Sequence, residues 1–272
     1  MLGQSGERGG PERAKRPHVT CDCVAVLHGG ERPIGAERLP DLRMRQRRDP
    51  CTLKSGDEGE VLGVIGPNGS GKTTMFNILT GLTKADQGRV LFAGVDITHL
   101  QAFERCRRGI ARSFQIPRPF TGMSVFENLL VGATFADRKP ERAVYNRCVQ
   151  VLEETGLLGK SNVLAGRLTL LDRKRLELAR ALATNPRVLL LDEIAGGLTE
   201  QECLVLIEEI IRIRQRGVSI IWIEHVVHAL LAVADRLTVF NFGKRIADGE
   251  PRIVMASRAV KEIYLGREED AI

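Results

Sequence analysis

Three groups of residues in this 272-residue chain have the types and spacing to do chemistry. The first is Gly66-Pro67-Asn68-Gly69-Ser70-Gly71-Lys72-Thr73-Thr74, which fits G-x-x-x-x-G-K-[ST]. Glycines here let backbone approach phosphate closely, and successive N–H groups at a helix N-terminus supply positive potential. Lys72 is placed to reach β- and γ-phosphates, and Thr73 to put its hydroxyl on Mg²⁺. The second group is Asp192-Glu193, directly after the apolar run Val188-Leu-Leu-Leu191. A carboxylate at a strand end beside a phosphate loop holds Mg²⁺, and a second beside it orients and deprotonates an attacking water. The third is His225, two residues after the apolar run Ser219-Ile-Ile-Trp-Ile223 and suited to sensing a γ-phosphate. The bland readings are a glycine-rich turn, an acidic turn and a solvated histidine. Strand and helix patterns around the first motif, and its pairing with the second, favour the chemical readings.

The elements that must position these groups follow from periodicity. Residues 60–65, 188–191, 219–223 and 237–240 are short apolar runs, the pattern of strands buried on both faces. Residues 73–82 read as a helix with Met75, Ile78, Leu79 and Leu82 on one face. Residues 88–97 read as strand–turn–strand, 124–184 as mostly helical and 201–215 as a helix. Buried strands alternating with helices predict an α/β fold with a parallel core sheet. No internal repeat is visible.

Composition narrows the function classes. Hydrophobic residues make up 43% of the chain, enough for a substantial core. The net charge of +6 admits nucleic acid or an anionic membrane surface, or simply a solvated basic face, which is preferred. Cys21, Cys23, Cys51, Cys106, Cys148 and Cys203 lack C-x-x-C spacing and are read as free thiols. There is no secretory signal pattern, and no apolar run reaches the roughly 18 to 20 residues of a membrane span, so a cytosolic protein is expected. Residues 1–50 carry Pro11, Pro17, Pro33, Pro40 and Pro50, the basic stretch Arg43-Met-Arg-Gln-Arg-Arg48, and no aromatic residue; none occurs before Phe76. This divergent segment reads as weakly ordered and of little weight in core stability, with one short strand near Val24-Ala-Val-Leu27.

Together with Gln115 in Arg112-Ser-Phe-Gln115 and with Glu224-His225, the motifs above resemble the ordered set of an ABC ATPase: Walker A, Q-loop, Walker B and H-loop. The resemblance covers residues 51–266, with 267–272 as a tail. Gly109-Ile-Ala-Arg-Ser-Phe-Gln-Ile-Pro-Arg-Pro-Phe120, Met123-Ser-Val-Phe-Glu-Asn-Leu129, Arg173-Lys-Arg-Leu-Glu-Leu-Ala-Arg-Ala-Leu-Ala183 and Ile263-Tyr-Leu-Gly266 narrow it to the ATPase subunits of branched-chain amino-acid importers. The resemblance implies a P-loop NTPase fold with an antiparallel β edge and a helical subdomain near residues 116–186. It implies Mg-ATP as ligand, Gln115 as a further catalytic and metal-facing residue, and two ATPase subunits sandwiching two ATPs. The implied partners are membrane permease subunits at the cytoplasmic face of the plasma (inner) membrane, a second ATPase and, indirectly, an extracytoplasmic solute-binding protein. Nucleic acid is not expected.

Three departures stand out. The family signature Leu-Ser-Gly-Gly-Gln is here Leu168-Thr169-Leu170-Leu171-Asp172. Thr169 keeps the hydroxyl meant for the partner's γ-phosphate, and Thr169-x-x-Asp172 reads as a capping box that opens a helix. An acidic Asp172 near ATP repels it unless the side chain turns back to cap. Gly196-Gly-Leu-Thr199 replaces Ser-Ala-Leu-Asp. The aromatic that stacks on adenine lies upstream of the Walker A motif in the family and is missing here; His28 is one substitute. Two other readings are a soluble ABC protein on ribosomes or DNA, which the basic N-terminus favours, and a regulatory subunit with weak hydrolysis, which the altered signature favours.

Overall fold

The computed structural model describes residues 22–27, 51–54 and 59–265. The expectations for the rest of residues 1–50, for the tail 267–272 and for His28 and Cys21 lie outside the described residues.

The chain runs β1 (Asp22–Leu27), β2 (Cys51–Lys54), β3 (Val61–Ile65), α1 (Lys72–Thr80), β4 (Gln87–Phe92), β5 (Val95–Asp96), α2 (Ala102–Arg107), β6 (Ile110–Arg112), α3 (Val125–Asp137) and α4 (Tyr145–Glu154). It continues through α5 (Leu170–Ala183), β7 (Val188–Asp192), α6 (Glu200–Gln215), β8 (Ser219–Ile223), α7 (Val227–Leu231), β9 (Arg236–Asn241), β10 (Lys244–Gly249), α8 (Pro251–Ala256) and α9 (Arg258–Leu265). One sheet has the order β10-β9-β3-β8-β7-β6. Its members are parallel except β10, which runs antiparallel to β9. The second sheet has the order β2-β1-β4-β5, with β4 and β5 antiparallel. The expected antiparallel β thus occurs at β4–β5 and β9–β10, while β1 pairs in parallel with both β2 and β4. The short strand expected near residues 24–27 therefore joins this sheet as an inner member.

Every residue of β3, β7 and β8 is buried, including Asp192 at the end of β7 and Ser219 at the start of β8, and the rest of each strand is apolar or glycine. Trp222 and Phe76 are wholly enclosed and Phe240 is nearly so. Helices α3, α4 and α5 pack on one another as a helical layer. Helix α3 opens with a capping box, in which the Glu127 carboxylate accepts from the Ser124 N–H at 2.7 Å and the Ser124 hydroxyl accepts from the Glu127 N–H at 3.2 Å. Cys106, Cys148 and Cys203 are free thiols. Among the described residues no helix is long and apolar enough to cross a membrane.

Candidate functional site

Strands β3, β7, β8 and β9 all point the same way, so the loops leaving their C-terminal ends meet at one edge of the sheet. The loop after β3 is residues 66–71. Gly66 has φ +153°, and a Cβ there would sit 2.2 Å from the Phe240 carbonyl oxygen, so glycine is obligatory on space alone. Gly69 and Gly71 are left-handed at φ +77° and +100°. Gly71 caps α1 without a side-chain hydrogen bond, leaving the first-turn N–H groups free of a side-chain cap.

Lys72 opens α1 and is only 5% exposed. Its ammonium donates to the Gly66 carbonyl at 2.7 Å and the Pro67 carbonyl at 3.0 Å. Burial holds its pKa below the usual lysine value, and the negative charges of Glu193 and Asp192 oppose that shift. Thr73 and Thr74 are exposed beside it. The Ser70 hydroxyl is buried and has no hydrogen-bond partner among the described residues.

Strand β7 delivers Asp192 and Glu193. Glu193 is left-handed at φ +48°, a backbone strain of about 1–3 kcal/mol for a non-glycine residue. Its N–H is pinned to the Ile223 carbonyl of β8 at 2.9 Å. Its carboxylate accepts from the Gln115 side-chain amide and lies 2.7 Å from His225 Nε2. Gln115, Glu193 and His225 are therefore brought into one hydrogen-bonded bridge.

Asp192 is buried against Arg112, whose guanidinium reaches its carboxylate at 2.6 Å and the Asn77 side-chain oxygen of α1 at 2.6 Å. The same guanidinium lies over the rings of Phe76 and Phe114. Sequence reasoning quotes Arg112 without giving it a role. Its signal is its place in β6, the strand beside β7, with Ala111 and Arg112 registered on Leu189 and Leu190.

Glu224 is the second residue that sequence reasoning underuses. It is 1% exposed, and its carboxylate accepts from the Ala195, His225 and Val226 N–H groups at 2.6, 3.0 and 3.4 Å. It ties the loop after β7 to the loop after β8, and so fixes Glu193 relative to His225. Burial pushes its pKa up, against those three hydrogen bonds. Lys174 of α5 is buried nearby; burial lowers its pKa, and Glu224 and Glu193 oppose the shift. We expect Glu224→Ala to lose about 1–3 kcal/mol of stability, the cost of leaving buried donors without an acceptor. A thermal midpoint within a degree of wild type would show that these donors find other partners.

The segment 169–172 forms the start of α5. The Thr169 hydroxyl accepts from the Asp172 N–H at 3.3 Å and donates to the Asp172 carboxylate at 2.9 Å. Asp172 is 4% exposed, pairs with Lys160, and lies 3.8 Å from Arg175. The expected capping box is thus half made: Thr169 caps the Asp172 N–H, but the Asp172 carboxylate turns to the Thr169 hydroxyl and Lys160 and not to the Thr169 N–H. Leu170 is half exposed and its side chain would contact a Cβ on Gly197 at 3.6 Å, while Leu171 is half-buried. Among the described residues, 169–172 make no hydrogen bond to Lys72, Asp192, Glu193 or His225.

The comparison with known proteins decides what this constellation belongs to. The family model described as "ABC transporter" matches residues 55–196, which hold the phosphate loop, Gln115, the altered signature, Asp192 and Glu193. The chain belongs to the ABC transporter family. It is 36% identical over 225 residues to the high-affinity branched-chain amino acid transport ATP-binding protein BraF of Pseudomonas aeruginosa, covering 77% of this chain and 88% of BraF. It is 36% identical to the corresponding protein LivG of Escherichia coli strain K12, over 76% of this chain and 87% of LivG. The solved nucleotide-free ATP-binding cassette of an ABC transporter superposes with TM-score 0.71 at 32% identity, covering 78% of this chain and 90% of that one. A cassette in its ADP conformation gives TM-score 0.70 at 34% identity, with 77% and 89% covered. The fold is that of the P-loop ABC ATPases, and the chain is a nucleotide-binding ATPase of that family.

Proposed function

We propose that this ABC ATPase is the ATP-hydrolysing subunit of an importer for branched-chain or related amino acids. The observation that carries the reading is the Gln115–Glu193–His225 bridge beside the loop holding Lys72, in a chain that shares 36% identity with BraF and LivG. The backbone N–H groups of residues 68–73 cradle the phosphates. Lys72 leaves its carbonyls for the β- and γ-phosphates, and Glu193 takes the proton of the attacking water while His225 holds the carboxylate in place. Thr73, Gln115 and Asp192 would hold Mg²⁺; all three present oxygen donors, the set a hard divalent cation takes. When bound, a divalent cation would supply positive charge that offsets the phosphate charge.

We read residues 51–266 as the ATPase domain, with a helical subdomain near 116–186. A cavity of about 570 Å³ in the helical layer is lined by Met123, Phe126, Leu130, Val131, Phe135 and Tyr145. This groove, whose lining also includes Glu127, Thr134 and Glu141, supports docking of a helix from a membrane permease, and we read the protein as peripheral on the cytoplasmic face of the membrane. A second ATPase subunit completes each site through the start of its α5, and a solute-binding protein supplies the amino acid from the other side.

The test is steady-state phosphate release by the isolated chain and by the permease-bound complex. We expect slow turnover alone and faster turnover in the complex, where the permease raises the effective concentration of one ATPase near the other. Equal rates in both would remove the permease from the reading. A companion substitution is Thr169→Ala, which deletes the only hydroxyl within residues 169–172. Nucleotide binding by the monomer should persist while turnover of the complex falls several-fold; full turnover would make residues 168–172 a structural cap only.

A further inference from the structure

We propose that Phe242 is the stacking face for the nucleotide base; this rests on the reading that residues 66–73 hold ATP. The strand order gives the direction. Along the functional edge of the sheet the order is β9, β3, β8, β7. Glu193 follows β7 and Glu224-His225 follow β8, so a γ-phosphate meeting Glu193 and His225 lies on that side of the phosphate loop. The base end of the same nucleotide then extends to the other side, where β9 ends.

What stands at the end of β9 is a two-residue hairpin, Phe242-Gly243, with Asn241 and Lys244 paired across it. It is seated on the phosphate loop. The Gly243 N–H donates to the Ser70 carbonyl at 2.9 Å, and a Cβ on Gly71 would lie 3.6 Å from the Gly243 Cα. The Phe240 carbonyl oxygen excludes any side chain at Gly66.

Phe242 is the wrong residue for the turn and the right one for a base. Both turn positions have positive φ, +45° at Phe242 and +73° at Gly243, the geometry for which Asn-Gly or Gly-Gly is the relaxed choice. A phenylalanine there is strained and gains nothing from burial, since it is 87% exposed, the most exposed large apolar side chain among the described residues. The sequence before Phe76 holds no aromatic residue, and Phe76 itself is fully buried. An exposed ring held by a strained turn against the phosphate loop is a stacking platform, and every purine presents a π-face to it.

The experiment measures the affinity of the wild-type, Phe242→Ala and Phe242→Trp chains for Mg-ATP and for Mg-tripolyphosphate. We expect Phe242→Ala to weaken Mg-ATP binding by roughly five- to a hundredfold, the range for losing one stacked base, and to leave tripolyphosphate binding within twofold. Phe242→Trp should restore ATP affinity and show fluorescence quenched by ATP but not by tripolyphosphate, read against the wild-type signal of the buried Trp222. Unchanged ATP affinity in Phe242→Ala overturns the proposal. So does an equal loss for both ligands, which would make Phe242 a support of the phosphate loop alone. A wild-type chain that binds neither ligand overturns the nucleotide reading itself.

Discussion

Replacing Glu193 by Gln is expected to leave ATP bound and to reduce its turnover by roughly 10² to 10⁴, the usual cost of losing a general base. The amide keeps the size and one carbonyl oxygen, so the left-handed backbone at residue 193 and the cradle around Lys72 need not move. What goes is the carboxylate that joins Gln115 to His225. A charged Glu193 accepts from both neighbours; an amide accepts through one oxygen and turns donor at the other position. The measurement is phosphate release under saturating Mg-ATP beside equilibrium nucleotide binding. Turnover within a few-fold of wild type would mean that another group activates the water.

The second large effect is expected at Lys72. Its Ala variant should bind Mg-ATP at least about a hundredfold more weakly, since two charge-assisted hydrogen bonds at ~1.5–3 kcal/mol each are lost from the phosphates. The fold should tolerate the change. Burial already disfavours the lysine charge here, and its two acceptors are loop carbonyls that water can serve once the side chain is gone. The check is nucleotide titration together with a thermal melt. Unaltered affinity would remove Lys72 from the phosphate site; lost affinity with a collapsed melt would make the lysine structural.

Much of the site is legible in the sequence because its pieces are local. The phosphate loop is one continuous motif between β3 and α1, Asp192 ends β7 with Glu193 directly after it, and Glu224-His225 follow β8. Once parallel strands are inferred, their C-terminal loops must share an edge, but the hydrogen bonds of Glu193 to Gln115 and His225 appear only in the structure. The strands β3, β7, β8 and β9 fall within one or two residues of their apolar runs, since burial on both faces makes their interiors nearly continuous apolar stretches.

What was not legible depends on long-range pairing or on very short elements. Strand β6 has three residues and α2 six, too few to show a period. Strand β10, Lys-Arg-Ile-Ala-Asp-Gly at a sheet edge, shows no apolar alternation and becomes a strand only where β9 pairs with it. The Arg112–Asp192 pair spans 80 residues, and the Glu224 carboxylate captures an N–H 29 residues upstream. No spacing rule announces either contact. At the start of α5 the residue types suggested a cap, but only the Lys160 pairing shows where the Asp172 charge goes. Phe242 was hidden for a different reason. It lies just past the apolar run 237–240, and only the turn geometry puts its ring in solvent.

The most direct test of the central claim is ATP-driven uptake of leucine by vesicles in which this chain is assembled with its permease and solute-binding protein. Wild-type chain should drive accumulation that requires Mg-ATP on the ATPase side, and the Lys72→Ala chain in the same vesicles should drive none. Accumulation that proceeds equally with Lys72→Ala, or vigorous ATP turnover by the assembled complex with no solute moved, would contradict it.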